Sequence, residues 1–142
     1  MERSYKFRLY PNREQEILIQ KTFGCVRFVY NHFLDERIQQ YSPAGKAPTR
    51  FQQDKSLTTL KKELEWLREP DKCALQEALK NLDAAYQNFF RRVKRGEKPG
   101  FPRFKCKRDH RKSYKTNSTI KVLDRAVQLP KLGKVKCAIS KK

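Results

Sequence analysis

The sequence predicts an α+β fold in which a three-helix bundle is inserted between an N-terminal strand and the rest of a small β-domain. Three observations support this prediction: the chain opens with an alternating segment, continues with three amphipathic helical patterns, and closes with short, basic β-like pieces. We place the first strand in residues 1–11, the helical domain in 12–95 and the basic β-domain in 96–142. A chain of 142 residues is long enough for one compact domain or two small ones.

The first strand is predicted from the alternation of residues 4–10, in which Tyr5, Phe7 and Leu9 fall on one side. Pro11 ends it. Asn12 follows with Gln15 three residues later, which is the spacing of a capping box and predicts the start of a helix. That helix is expected to run to about Gln40.

The helical stripes predict which side chains form the core. On the first helix, Gly24 costs roughly 1 kcal/mol relative to Ala, so we expect it to mark a close approach between helices. A second helix is expected from about Gln53 to Leu67, and a third from Asp71, as N-cap, to about Arg95. The apolar stripes are Leu18, Thr22, Cys25, Val29 and Phe33, widened by Ile17, Phe28 and Ile38; then Leu57, Leu60, Leu64 and Leu67; then Leu75, Leu79, Leu82, Tyr86, Phe89 or Phe90, and Val93.

Three β-like pieces are predicted near the C-terminal end of the chain, at residues 120–123, 126–129 and 134–139. Tight connections are expected at residues 124–125 and 130–133. Because the chain stops in the middle of this pattern, we expect the β-domain to be incomplete.

Charge is distributed unevenly along the chain and indicates a polyanionic partner. Residues 1–90 hold 15 Lys and Arg against 12 Asp and Glu, whereas residues 91–142 hold 19 against 3. This asymmetry points to nucleic acid and more weakly to a membrane surface. The alternative is a solvated surface tuned for solubility, but such surfaces usually mix both signs.

The basic run of residues 91–115 supplies the candidate contacts to a nucleic-acid backbone. Cations there can neutralise phosphates, and interleaved aromatic side chains suit single-stranded or structured RNA. We expect Phe101 and Phe104 to plug the core, while Tyr114 is left open between packing and stacking. The backbone-binding candidates are Arg91, Arg92, Lys94, Arg95, Lys98, Arg103, Lys105, Lys107, Arg108, Arg111, Lys112, Tyr114 and Lys115.

Neither a catalytic site nor a metal site is apparent in the sequence. The acids lie mostly on predicted helix surfaces, and His32 and His110 have no nearby nucleophile arrangement. The four cysteines form no C-x-x-C pair, so no zinc site and no cofactor are expected. No signal peptide or membrane span is found, and we expect a reducing, cytoplasmic setting in a bacterial or archaeal host.

Five blocks of the sequence together resemble the N-terminal portion of TnpB, the OrfB-type protein of insertion-sequence transposons, long described as a transposase and related to type V CRISPR effectors. The blocks are residues 5–12 (YKFRLYPN), 24–34 (GCVRFVYNHFL), 71–76 (DKCALQ), 100–104 (GFPRF) and 129–136 (LPKLGKVK). They occur in the family's order and span almost all of the chain. The resemblance implies a helical recognition domain inserted into a wedge-like β-barrel.

The resemblance also implies a function. Proteins of this family are RNA-guided DNA endonucleases, so the expected partners are guide RNA from the transposon end and target double-stranded DNA. The family's RuvC-like nuclease domain, with its catalytic acids and zinc cysteines, is not found in these 142 residues. We therefore expect this chain alone to be inactive, and Mg and Zn to belong to the nuclease half. A separate nuclease-domain chain is a further possible partner.

The family reads the target-adjacent motif near the start of the third helix, which implies roles for Lys72 and Gln76 in the block D-K-x-x-L-Q. At i and i+4 they project from one helix face and could reach base edges. The alternative is that they are two solvated residues. Looser candidates for DNA contact are Arg50, Ser56, Thr116 and Asn117. Arg27 and Asn31 match a family block too, with helix packing as their other interpretation.

A second hypothesis is a stand-alone DNA-binding regulator that uses the helical bundle. It differs from the first in predicting sequence-specific duplex binding without RNA.

Overall fold

In the part of the chain that the structure describes, three α-helices and a four-stranded antiparallel sheet make up the fold, which confirms the predicted α+β class. The computed structural model describes residues 6–40, 49–98, 100–107, 112–116 and 120–138. The elements are β1 (Arg8–Tyr10), α1 (Arg13–Gln40), α2 (Arg50–Glu63), a short 3-10 helix (Glu65–Arg68), α3 (Lys72–Lys94), β2 (Lys121–Leu123), β3 (Ala126–Leu129) and β4 (Gly133–Ala138).

The capping box predicted before α1 is present. The backbone N–H of Asn12 donates to Oε1 of Gln15 over 2.9 Å, and the N–H of Gln15 donates to Oδ1 of Asn12 over 2.8 Å. The predicted stripe is buried at Thr22, Cys25, Val29 and Phe33 and half-buried at Leu18 and Phe28. Ile17 and Ile38, which were expected to widen the stripe, are instead exposed.

The prediction that Gly24 marks a close approach between helices is wrong. A Cβ placed on Gly24 would have no neighbour nearer than Nη2 of Arg27, at 3.9 Å, which is an ordinary contact within the same helix. Gly24 lies on a side of α1 turned away from the core stripe, and none of the described helices packs on it.

The second helix differs from its predicted bounds at both ends. It starts earlier because Thr49 and Gln52 form a reciprocal capping box, and it stops at Glu63 because Leu64 adopts an extended conformation. The 3-10 helix that follows turns Leu67 into the core, where it is fully buried.

Helix α3 supplies the centre of the core. Asp71 caps it, as predicted, by accepting a hydrogen bond from the N–H of Cys73 over 3.2 Å. The predicted stripe is buried at Leu75, Leu79, Leu82 and Tyr86, and these side chains pack against α1 and the leucines of α2. Phe90 and Val93, which were also predicted in the stripe, are instead exposed.

A buried polar network joins the three helices where the sequence predicted only apolar contacts. The guanidinium of Arg37 donates to Oε1 of Gln53 over 2.9 Å and to Oδ1 of Asp83 over 3.1 Å. It also lies 4.8 Å from the ring centre of Tyr86. Gln53 is fully buried and donates to the carbonyl of Phe33 over 3.0 Å. One residue from each helix therefore meets at a single point.

The predicted β-pieces form a sheet in the order β1-β4-β3-β2, with every neighbouring pair antiparallel. Arg125 and Lys131 adopt left-handed backbone conformations (φ 59° and 67°) in the two predicted connections. The inner face is formed by Val127, Val135 and Cys137, which are buried. Tyr5 and Ile139, at the predicted outer ends of two strands, lie outside the described residues.

Gln15 connects the sheet to the helices by two hydrogen bonds. Nε2 of Gln15 donates to the carbonyls of Leu132 and Lys134, over 3.1 and 2.7 Å. Since Gln15 also belongs to the capping box of α1, the β3–β4 hairpin is held at the N-terminal end of that helix.

Candidate nucleic-acid interface

The basic residues after α3 form an extended segment that packs on the helices and does not join the sheet. We call residues 100–107 and 112–116 the basic arm. At one end, the ring of Phe101 lies 5.1 Å from that of Phe89; at the other, Tyr114 lies 5.7 Å from Phe23. The arm therefore crosses from the C-terminal end of α3 to its N-terminal end, along α1.

Asn31 holds the middle of the basic arm. Its side-chain amide donates to the carbonyl of Lys105 over 2.9 Å and its Oδ1 accepts from the N–H of Lys105 over 2.7 Å. Nζ of Lys105 lies 4.6 Å from the ring centre of Tyr30. Asn31 therefore pairs with the arm as a strand neighbour would, a contact that differs from the helix packing considered for it in the sequence.

The far end of the arm meets the start of α3. Thr116 donates a hydrogen bond from its hydroxyl to Oδ2 of Asp71, whose other oxygen caps the helix. Tyr114 is half-buried against the core, and burial, followed by the nearby carboxylate of Asp71, raises its phenol pKa. The structure thus packs the ring of Tyr114, the alternative to stacking that the sequence left open.

The prediction that Phe101 and Phe104 plug the core is wrong, since they are 46% and 54% exposed. Pro102 lies between them and is the buried residue of this stretch. In an extended segment neighbouring side chains point to opposite sides, so burying Pro102 turns Phe101 outward.

Four cations from three parts of the chain gather around the start of α3. We call Lys61, Arg68, Lys72 and Lys131 the α3-start cluster. Burial lowers the pKa of Lys61, and Lys72, Lys131 and Arg68 lower it further, while Asp71 raises it. Nε of Arg68 donates to the carbonyl of Lys61 over 3.2 Å. Only Lys72 of this cluster was a candidate from the sequence.

The structure brings some of the predicted DNA-contacting residues together and separates others. Lys72 and Gln76 are both exposed on one face of α3. Thr116 lies near them because its hydroxyl donates a hydrogen bond to Asp71, the residue before Lys72. Arg50 is exposed at the opposite end of α2, roughly 20 Å away by the rise of that 14-residue helix. Ser56 lies between and bonds the carbonyl of Gln52 within its own helix. Asn117 lies outside the described residues.

The candidate backbone-binding cations are exposed along α3 and the arm. Within the described residues, these are Arg91, Arg92, Lys94, Arg95, Lys98, Arg103, Lys105, Lys107, Lys112 and Lys115. Arg108 and Arg111 lie outside them. The outer face of the sheet adds three lysines that were not candidates from the sequence. Gln128 of β3 lies between Lys121 of β2 and Lys134 of β4 in one row across the sheet, and Lys136 lies opposite Tyr10 of β1. The alternation of Lys134 and Lys136 with the buried Val135 was the sequence signal that could have placed these lysines on the outer face.

Among the residues that the structure describes, no three His, Cys, Asp or Glu side chains are grouped as they would be around a metal ion. Over the same ranges, no helix combines the length and apolar character needed to cross a membrane.

A bundle with cations at the start of α3, along the arm and on the sheet defines a protein of the nucleic-acid-binding class. Residues 1–46 match the family model HTH_OrfB_IS605, described as a helix-turn-helix domain. A protein of Streptomyces pristinaespiralis named as an RNA-guided DNA endonuclease is 37% identical over 115 residues, which is 80% of this chain and 27% of that protein. InsQ of Escherichia coli K12, also named as an RNA-guided DNA endonuclease, is 34% identical over 139 residues, 92% of this chain and 32% of InsQ.

A shorter relative covers the same region. The virulence protein VsdF of Salmonella dublin is 34% identical over 112 residues, which is 72% of this chain and 94% of VsdF. The chain therefore belongs to the TnpB family of insertion-sequence proteins, as its N-terminal portion. It spans about a third or less of the length of the two relatives named as endonucleases.

The matched helix-turn-helix range contains a single helix in its described part. Of residues 1–46, the described residues 6–40 hold β1 and α1, and α2 starts only at Arg50. A helix-turn-helix motif requires two helices joined by a short turn. Helix α1 also buries Val29, Phe33 and Leu34 completely, so that face cannot enter a DNA groove.

Proposed function

We propose that this chain binds guide RNA and the target-adjacent motif of double-stranded DNA, as the N-terminal part of a TnpB-type RNA-guided DNA endonuclease. One observation supports this assignment above the rest: the arm and the α3-start cluster meet at Asp71. Cations suited to a phosphate backbone therefore lie beside the two exposed side chains suited to base edges.

The start of α3 is proposed as the DNA-reading end. Lys72 and Gln76 are one helical turn apart and exposed, so both can reach the same groove. Lys61, Arg68 and Lys131 supply phosphate contacts beside them, which position a duplex without reading its sequence. The long cationic surface of α3 and the arm is then left for guide RNA.

Binding measurements with matched lysine variants test the DNA part. Lys72→Ala should lose about 1 to 3 kcal/mol of affinity for one motif, because a base contact is removed. Lys80→Ala, an exposed lysine two turns along the same helix, is the control. Equal losses from both variants on every duplex would reduce Lys72 to a general phosphate contact and remove the motif-reading role.

Gel shifts with transposon-end RNA test the RNA part. Arg92→Glu in the full chain should weaken RNA binding and lower the salt dependence of binding by about one phosphate contact or more. If wild-type affinity for transposon-end RNA does not exceed that for unrelated structured RNA, the chain does not recognise a guide. Point variants are preferable to deletion of residues 96–142, because deletion would uncover Phe23 and Tyr30, on which the arm packs.

The regulator hypothesis is less well supported. It needs a helix of the bundle free to enter a DNA groove, and α1 is largely occupied by the core. Sequence-specific duplex binding that survives Lys72→Ala and Arg92→Glu and needs no RNA would favour it.

A further inference from the structure

A groove of about 630 Å³ runs along a face of α1 that does not contact the core. Four residues of α1 line it at successive spacings of four, seven and three, which places them along one side of the helix. They are Arg13, Ile17, Gly24 and Arg27. Lys107 and Lys112, one from each described segment of the arm, complete its wall.

The groove is cationic without internal compensation. Arg13, Arg27, Lys107 and Lys112 make no ion pair within the described part of the chain, whereas a fifth cation, Lys21, pairs with Glu69 over 3.0 Å. Glu16 is the only acid among the described lining residues. Such a concentration of like charge favours an anionic ligand.

The floor of the groove is apolar. Ile17 is 48% exposed there, and Phe23 and Gly24 continue the surface towards the arm. An exposed isoleucine beside uncompensated cations suits a ligand that has both an anionic group and an apolar or aromatic part.

Gly24 has no role in packing the protein itself. Glycine in a helix costs about 1 kcal/mol relative to alanine, yet among the described residues no atom of another element lies within 4 Å of where its Cβ would be. Omitting that Cβ deepens the groove.

We propose that this groove binds a nucleotide of a single-stranded nucleic acid, with the phosphate held by the arginines and lysines and the base placed against Ile17 and Phe23. This inference rests on the proposed nucleic-acid function and adds a site on α1. A duplex presents phosphates on its outer surface and keeps its bases paired inside, so only an unpaired nucleotide can put both parts into one concave groove.

The test uses the full chain, a fluorescein-labelled single-stranded RNA of mixed sequence, and a DNA duplex of equal length. Gly24→Ala and Gly24→Leu are compared with Ala84→Leu, a substitution on an exposed position of α3 outside the groove. We expect Gly24→Ala to raise the thermal midpoint by a few degrees, because helix propensity improves and nothing clashes.

Gly24→Leu should weaken single-strand binding about tenfold, or about 1.4 kcal/mol, and leave duplex binding within about twofold. Ala84→Leu should change neither. If wild type binds the RNA and both Gly24 variants bind equally well, the groove proposal fails while the proposed function stands.

Two other outcomes also count against the proposal. Equal losses on single strand and duplex would show a general phosphate site without a nucleotide pocket. Failure of wild type to bind either probe would overturn the proposed function together with the groove.

Discussion

Replacing Arg37 by methionine, which keeps the length of the side chain but removes its charge and donors, should destabilise the helical bundle strongly. Arg37 is buried and donates to Gln53 and Asp83 from two other helices. Because the fully buried Gln53 oxygen would lose its donor, that loss alone costs roughly 1 to 3 kcal/mol.

The other two contacts add less. Loss of the cation over the ring of Tyr86 costs about 1 kcal/mol. The side chain of Asp83 is 29% exposed and can be rehydrated, so its contribution stays below about 1 kcal/mol. We therefore expect Arg37→Met to lower the free energy of unfolding by about 3 kcal/mol.

Urea unfolding followed by circular dichroism measures this loss. Lys80→Met, at an exposed position of α3, is the control and should stay within about 0.5 kcal/mol of wild type. In a double-mutant cycle with Gln53→Met, the two losses should be non-additive by 0.5 kcal/mol or more, since the residues share one hydrogen bond. A loss below about 1 kcal/mol for Arg37→Met would refute the assigned role of the network.

Four further predictions concern the arm, the thiols and the second helix. Asn31→Ala should free the basic arm, so trypsin should cut near Lys105 faster than in wild type; unchanged cleavage would mean that the clamp is dispensable. Burial raises the pKa of the Cys25 thiol to about 11, so the folded state keeps a proton that the unfolded chain loses above pH 9. Stability should therefore fall as pH rises from about 9 to 11, and urea midpoints should show a shallower fall in Cys25→Ala. At pH 8 a thiol reagent should modify the exposed Cys106 rapidly and Cys25 only on unfolding; equal rates would contradict this. Thr49→Ala should cost about 1 kcal/mol in urea unfolding through loss of the capping box, with Thr58→Ala, exposed in the same helix, as the control.

Features that depend on neighbours within a few residues were predictable from the sequence. Asn12 with Gln15 determined the start of α1, Asp71 the start of α3, and the alternation around Val127 and Val135 determined the strands. These signals are local because capping and periodicity act over two to four positions. The end of α2 was missed because Leu64 breaks a regular leucine spacing by backbone conformation alone.

The candidate site could be predicted only in its charge. The sequence by itself determined that residues 91–142 are strongly cationic, that Lys72 and Gln76 share a helix face, and that the chain resembles TnpB. Which cations meet was decided by the tertiary structure. Lys61 and Lys131 are far apart in the chain and come together because the β3–β4 hairpin lies at the N-terminal end of α1, where Gln15 bonds to it.

The glycine in α1 illustrates the same division. The sequence showed that a helix tolerates an unfavourable residue at position 24 but not why, since close packing and an open groove leave the same signal. Only the tertiary structure showed that no helix packs there and that the arm brings Lys107 and Lys112 to the same face. Contacts between residues distant in the chain depend on how elements pack, and no local spacing encodes that.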